Sequence, residues 1–252
     1  YPIKSLDAVA VERAEVLAGG ALRHDRRYAL LDSDGNLVNG KRTPLMNRVR
    51  ARFDLDGWQV ELGEVGQGAV FHLDRDRQSL AAALSRSLEH DVHLVENADT
   101  GFPDDLESPG PTLVSAGTLR AVAAWFPGLD ASEVRRRFRA NLEIEGTEGL
   151  ATPPFWEDRL CGPAGQPIRF RIGDVVLEGT NPCPRCIVPT RDSTTGDAWP
   201  RFAKAFAEQR EAALPPWAER SRFDHFYRLA VNTRLAGAGG TIRVGDAVEV
   251  LT

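Results

Sequence analysis

Short apolar runs broken by polar turns, rather than long helical stripes, dominate the first part of the chain. Tyr28 to Leu31 is apolar, halts at Asp32-Ser33-Asp34-Gly35-Asn36 and resumes at Leu37-Val38. Asp-Gly between two apolar runs is a strong turn signal, so this stretch predicts a β-hairpin. Further strands are predicted at Val49 to Leu55, Trp58 to Leu62 and Ala69 to Leu73, separated by Gly-containing turns. Leu80, Ala81, Leu84 and Leu88 then recur at helical spacing within Arg77 to Leu88, and Val92 to Val95 returns to strand chemistry. Residues 1–97 therefore read as a β-rich domain with one helix.

Asn97 to Pro111 carries Gly101, Pro103, Pro109, Gly110 and Pro111 among several acids, the composition of a boundary loop. A second domain is expected over residues 112–252. There, a strand at Leu113-Val114 leads through Ser115 and Gly117 into a helix reaching Trp125, and Ser132 is the expected N-cap of a short second helix. Asn141 to Ile144, Ile168 to Ile172 and Val175 to Leu177 read as strands. Pro200 to Leu214 predicts an amphipathic helix through Phe202, Ala205, Phe206 and Ala213, ended by Pro215-Pro216. Two phrases echo each other, Ile172-Gly173-Asp174-Val175-Val176-Leu177 and Val244-Gly245-Asp246-Ala247-Val248-Glu249. Each joins a Gly-Asp turn to strand-forming residues, as in a small closed barrel. The fold class expected is mixed α+β, predominantly β.

Composition narrows the function classes. At 252 residues, 42% hydrophobic and 27% charged, the chain has ordinary globular make-up and buries a core without structural metals or disulfides. Any metal is then expected to be functional. Thirty-six acidic against 31 basic residues give a formal charge of -5, which speaks against a chain built to bind nucleic acid. Three cysteines, an odd and sparse set, suggest a reducing compartment, with the cytoplasm as the expected location. No apolar run approaches the ~20 residues of a membrane helix. The chain opens at Tyr1 without a methionine, so an upstream leader or anchor is an open expectation.

Cys183-Pro184-Arg185-Cys186 is the sharpest local feature and admits four readings. A zinc site needs more ligands than Cys161 and a distant His225 readily supply. A thioredoxin-like pair needs a helix N-terminus, and Pro189 breaks a helix begun there. Two buried free cysteines are the bland alternative. The fourth is a single thiolate offered to a soft metal whose cofactor supplies the remaining ligands. Arg185 suits that reading, because its guanidinium binds an anionic cofactor edge and favours Cys186 as thiolate.

Tyr1-Pro2-Ile3-Lys4-Ser5, Asp25-Arg26, Phe138-Arg139-Ala140-Asn141, the Cys183 to Cys186 phrase followed by Asp192 to Gly196, and Val244-Gly245-Asp246 together resemble the MOSC proteins. The likeness runs in order along nearly the whole chain. It is greatest to the branch with an added N-terminal β-barrel domain, which includes the mitochondrial amidoxime reducing component and its bacterial relatives. The resemblance implies a MOSC-type β-barrel domain behind the N-terminal β-rich domain, and a molybdenum-molybdopterin cofactor whose metal is bound by Cys186. The implied cofactor contacts are Lys4, Ser5, Arg26, Arg139, Asn141, Pro184 and Arg185, placing the cofactor between the two domains.

Taken singly, these residues have plainer readings. Lys4 and Arg26 alone read as solvated charges, Arg135-Arg136-Arg137 as an exposed helical face, and His24 as a surface residue. Arg139 is expected to enter an apolar strand, where its buried guanidinium needs an anionic partner. Ser115 either caps its helix or lines the pocket, and Asp158 in Trp156-Glu157-Asp158 is either structural or orients a pocket arginine. Ala140 stands where relatives often carry Pro, Arg27 where an aromatic is common, and Cys183 adds a second thiol, so the choice of Cys186 rests on the resemblance.

The reaction implied is reduction of small N-oxygenated substrates such as N-hydroxylated amidines or hydroxylamines. With no four-cysteine iron–sulfur spacing in the chain, electrons are expected from a separate flavoprotein, haem or iron–sulfur partner. The rival reading is a sulfur-carrier module holding a persulfide on Cys186 or Cys183. A third is a cofactor carrier without turnover.

Overall fold

The computed structural model describes residues 1–147 and 150–251. Its strands are β1 (Arg13–Val16), β2 (Tyr28–Leu31), β3 (Leu37–Val38), β4 (Ala51–Asp54), β5 (Gln59–Leu62), β6 (Ala69–His72), β7 (His93–Glu96), β8 (Leu113–Ser115), β9 (Leu142–Ile144), β10 (Ile168–Ile172), β11 (Val175–Pro184), β12 (Arg228–Leu235), β13 (Gly240–Arg243) and β14 (Val248–Val250). The helices are α1 (Arg77–Leu88), α2 (Ala116–Ala124), α3 (Ala131–Phe138) and α4 (Phe202–Ala212). The fold is mixed α+β with strands predominant. It divides into two compact units, the first made of Tyr1–Val11, Arg23–Pro103 and Asp192–Asp197, the second of Glu12–Leu22, Asp104–Arg191 and the chain from Ala198 onward.

In the first unit, β3-β2-β7 and β4-β5-β6 form two antiparallel sheets. The expected hairpin is β2–β3. Its turn is held by Asp32 Oδ1, which accepts from the amides of Asp34 (3.0 Å) and Asn36 (2.8 Å). Helix α1 has the predicted bounds, because Leu80, Leu84 and Leu88 fall on one face and bury against Ile3, Tyr28, Leu30 and Met46. Each such leucine contributes about 1.5–3 kcal/mol of burial. The segment Asp192–Asp197 is seated by Asn47 Nδ2, which donates to Asp192 O (2.9 Å), and by Arg48 Nε, which donates to Thr195 O (2.8 Å). Gly196 there has φ +79°, and a Cβ would lie 2.7 Å from Pro44 O, so a side chain is excluded on both counts.

The second unit holds a six-stranded sheet in the order β14-β10-β11-β12-β8-β9, antiparallel except for β8–β9, and a separate β1–β13 pair. Strand β11 runs well beyond the predicted Val175 to Leu177. Its continuation is polar, but Glu178 is buried with its charge met across the sheet by Arg169 on β10 (3.0 Å) and Arg234 on β12 (2.7 Å). The two echoing Gly-Asp phrases lie against each other. Gly173 (φ +54°) closes the β10–β11 hairpin, and a Cβ on it would sit 2.6 Å from Asp246 Oδ2 in the turn between β13 and β14. Beta13 and β14 lie in different sheets, so the phrases are two packed turns rather than two copies of one hairpin.

Three local expectations are corrected by the structure. Ser115 caps α2, its Oγ accepting from Thr118 N (3.2 Å), but α3 is capped by Asp130 rather than Ser132, since Asp130 is extended and its Oδ1 accepts from Glu133 N (2.7 Å). Arg135 and Arg136 are exposed as expected. Arg137 is not: it follows Val134 by three positions, shares the inward face, and is buried with Nε 2.6 Å from Glu133 Oε1. His24 is half-buried, edge-on to Trp58 at 4.6 Å, rather than on the open surface. On α4, Phe202 and Phe206 enter the aromatic core and Arg210 follows one turn later on the same face. Asp158 pairs there with Arg210 (2.5 Å), so its role is structural.

Glu157, next to that pair, accepts at Oε2 from Ser115 N (3.2 Å) and Thr118 Oγ1 (3.0 Å). Burial and the neighbouring Asp158 push its carboxyl up to about 7. The native state therefore holds a proton that the unfolded chain releases above its ordinary value, and stability falls as pH rises from about 4.5 through 7. The loss reaches on the order of 3 kcal/mol. Glu157→Gln cannot ionise, so the variant is expected to gain melting temperature on the wild type between pH 5 and pH 8. Calorimetric scans at both values check this, and a gap independent of pH would remove Glu157 as the source.

Candidate functional site

The thiol phrase ends β11, where two prolines meet the edge of regular pairing. Pro182 and Pro184 have no amide hydrogen to donate, and the β11–β12 register shifts between them. The ladder closes beyond them: Arg185 N donates to Tyr227 O at 3.0 Å, so these two residues face each other directly. A short 3-10 turn, Val188–Thr190, follows, in keeping with Pro189 stopping any longer helix.

Arg185 is held at both terminal nitrogens. Nη2 donates to Phe138 O, one of the carbonyls left open at the C-terminus of α3, and Nη1 donates to Cys183 Sγ at 3.1 Å. The guanidinium lies 5.4 Å from the Phe138 ring centroid, and its Nε is buried without a hydrogen-bond partner among the described residues. Its thiol contact is thus with Cys183, not with the Cys186 it was expected to favour. Both sulfurs are half-exposed rather than buried, unlike Cys161, whose thiol is pushed up by burial. Pro184 is exposed. Among the described residues, no group of three or more His, Cys, Asp or Glu side chains is placed to hold a metal ion.

Arg139 does not enter a strand. It is the C-cap of α3 in the left-handed region at φ +54°, its amide donating to Arg135 O (2.9 Å), and its side chain is half-buried. Helix termination, not strand pairing, sets its position. Asn141 immediately precedes β9, and its Oδ1 is engaged by Thr112 N (3.0 Å) and Oγ1 (3.1 Å). Asn141 also lines a small pocket with Val114, Phe138, Ala140, Leu229 and Ala230.

Lys4, Ser5 and Arg26 belong to the first unit, where Phe102 joins two of them. Phe102 O accepts from Lys4 Nζ (2.7 Å), and Phe102 N donates to Arg26 O (2.9 Å). Lys4 is buried, not solvated, because Ile3 bridges Tyr28 and carries it inward. Arg26 is half-buried with Nε 2.8 Å from Asp25 Oδ2. Ser5 Oγ accepts from Gly40 N (3.2 Å). Ser5 (φ +74°) and Arg26 (φ +49°) share left-handed backbone with Arg139, a conformation costing a side-chain-bearing residue about 1–2 kcal/mol. Strain of this kind collects at functional positions. Arg27 donates to Glu96 (2.7 Å) and lies 4.9 Å from the Trp58 ring, so the charge standing where an aromatic is common is neutralised in place.

Tyr227, opposite Arg185, and Arg137, whose charge acts on the Tyr227 phenol, are not among the predicted site residues. The Tyr227 phenol is raised by burial and by Cys186, and pulled the other way by Arg185 and Arg137. Only the Cys-x-x-Cys strand pairing, invisible in sequence, brings Tyr227 to this place.

Two family profiles cover the chain: MOSC N-terminal beta barrel domain matches residues 1–127, and MOSC domain matches residues 112–249. No curated protein matches it. With the Cys183 to Cys186 phrase, the left-handed Arg139 and the Asp192–Asp197 segment inside the matched regions, the chain belongs to the MOSC family, in the form with an N-terminal beta barrel domain.

Proposed function

We propose that this protein is a molybdenum-cofactor-dependent oxidoreductase that reduces small N-oxygenated compounds, with Cys186 as the thiolate ligand of the metal. MOSC domains are associated with molybdenum-cofactor sulfurase-like and reductase-like proteins. The observation carrying the reading is Cys186 itself: a half-exposed thiol directly after a guanidinium that is held at both tips yet leaves a buried Nε without a partner among the described residues. A soft sulfur beside a fixed cation with an unused donor fits an anionic cofactor carrying a thiophilic metal. When bound, the cofactor supplies two-electron oxygen-atom chemistry, by which an N–OH group, two electrons and two protons become N–H and water.

The chain's own residues then bind and orient. Lys4, Ser5 and Arg26 of the first unit and Arg139, Asn141, Pro184 and Arg185 of the second are the proposed cofactor contacts, with Lys4, Arg26, Arg139 and Arg185 holding its anion. Guanidinium and ammonium groups neutralise the phosphate, and the Asn141 amide group, its oxygen already engaged by Thr112, offers Nδ2 to the pterin edge. No helix among the described residues is long and apolar enough to cross a membrane. The proposed partner is a separate electron-donor protein. The proposed domains are an N-terminal domain over residues 1–97 and a MOSC domain over 112–252.

A second reading has its own observation. Arg185 Nη1 donates to Cys183 Sγ at 3.1 Å, so a cation is fixed on that half-exposed sulfur, which suits a persulfide-carrying module. Molybdenum content separates the two. Protein purified from cells replete in molybdenum is expected to contain the metal and an oxidisable pterin, and to consume an N-hydroxylated amidine with an artificial reductant; metal-free protein carrying a persulfide would reverse the choice.

Cys186→Ala is expected to abolish metal-centred turnover and Cys183→Ala to keep a substantial part, measured as turnover per protein with the same reductant. Equal loss in both would move the ligand assignment. Arg139→Gly is expected to separate stability from binding. Glycine relieves the left-handed cap, so the melting temperature is unchanged or higher, while molybdenum retained through purification falls several-fold. Full retention would take Arg139 out of the contact set.

A further inference from the structure

We infer that Tyr227 Oη and Arg185 Nε form a two-donor cradle for an oxyanion, with Tyr227 a ligand-binding residue additional to the contacts named above. The inference rests on the molybdenum reading only for the origin of the oxyanion, not for the cradle.

The two residues are opposed across the last rung of the β11–β12 ladder, with Arg185 N 3.0 Å from Tyr227 O. Directly opposed residues of an antiparallel pair project to the same face. Both side chains are fixed there. The Tyr227 ring meets Phe206 edge-on at 5.3 Å, and the Arg185 guanidinium rests by Phe138, whose ring lies 5.3 Å from that of Phe206.

Each side chain then ends in one unused donor. Tyr227 Oη and Arg185 Nε are both buried and have no hydrogen-bond partner among the described residues, although the other two guanidinium nitrogens of Arg185 are engaged. Buried polar groups are nearly always satisfied, and two unmet donors on facing residues call for one acceptor. Burial keeps the phenol protonated, so it donates. Arg185 and Arg137 act on the phenol electrostatically against Cys186, so two cations oppose one sulfur and the surroundings favour an acceptor with negative charge. Oxygen suits both an O–H and an N–H donor, and an oxyanion offers two acceptor atoms to separate donors. A phosphate-like or other small oxyanion, free or as part of a cofactor, has that chemistry.

The test is calorimetric titration of the full chain with inorganic phosphate at constant ionic strength, against chloride, for wild type and Tyr227→Phe. Wild type is expected to bind phosphate more tightly than chloride, and Tyr227→Phe to lose at least fivefold in phosphate affinity. Losing an unmet buried hydroxyl, the variant is expected to melt no lower than wild type without ligand, which separates a lost contact from a lost fold. Phosphate bound by cofactor-stripped protein alone identifies the oxyanion as the cofactor's; phosphate bound also by cofactor-loaded protein identifies a site for a free oxyanion. Equal phosphate affinity in wild type and Tyr227→Phe, or no preference over chloride, overturns the cradle. Molybdenum-loaded protein with that result retains the metal reading, whereas Tyr227-dependent phosphate binding in a chain that takes up no molybdenum retains the cradle and removes the metal.

Discussion

The hydrogen bond from the Arg185 amide to the Tyr227 carbonyl is the constraint on which the site depends. Two prolines just before it stand opposite Val231 and Arg228 but have no amide to donate, so this rung is the amide hydrogen bond that ties the stretch between the thiols to its neighbour. With it, the backbone between the two thiols is locked to β12. Arg185 is then aimed at the open C-terminus of α3, and a helix end and a strand end are tied together by one side chain. The same guanidinium serves packing, capping and charge at once, which is why its remaining nitrogen is informative.

The left-handed backbone at Ser5, Arg26 and Arg139 has a related meaning. Glycine would adopt these conformations at less cost, and for Arg139 a helix C-cap is where glycine is most at home. Keeping arginine there sets side-chain chemistry above local stability. Buried Glu157 shows the same order of preference in the core, since a neutral side chain of similar shape would avoid the charge penalty that burial imposes.

Much of the architecture was legible because period and turn chemistry were unambiguous. The β2–β3 hairpin and α1 follow from an Asp-Gly turn and from leucines four apart. The sequence makes β11 look short, because Glu178 resembles a strand end until Arg169 and Arg234 on its neighbours are known. Arg137 reads as exposed because three consecutive arginines look alike, whereas an eight-residue helix turns one of them inward. Arg139 reads as a strand start but is a helix stop, one structural step away. Lys4 reads as solvated until its neighbour Ile3 is seen bridging Tyr28. Tyr227 carries no motif at all; it becomes visible only through the register of a strand pair about forty residues apart in the chain.

The Asp192–Asp197 segment bears on how such a protein can be divided. It follows the thiol phrase by a few residues yet is counted with the first unit, just as Glu12–Leu22 is counted with the second. Neither unit is therefore encoded by one uninterrupted stretch. A gene cut at the boundary loop would give two fragments that each lack a piece of themselves, so shuffling or deleting one half during evolution would carry a folding penalty that a simple tandem arrangement avoids.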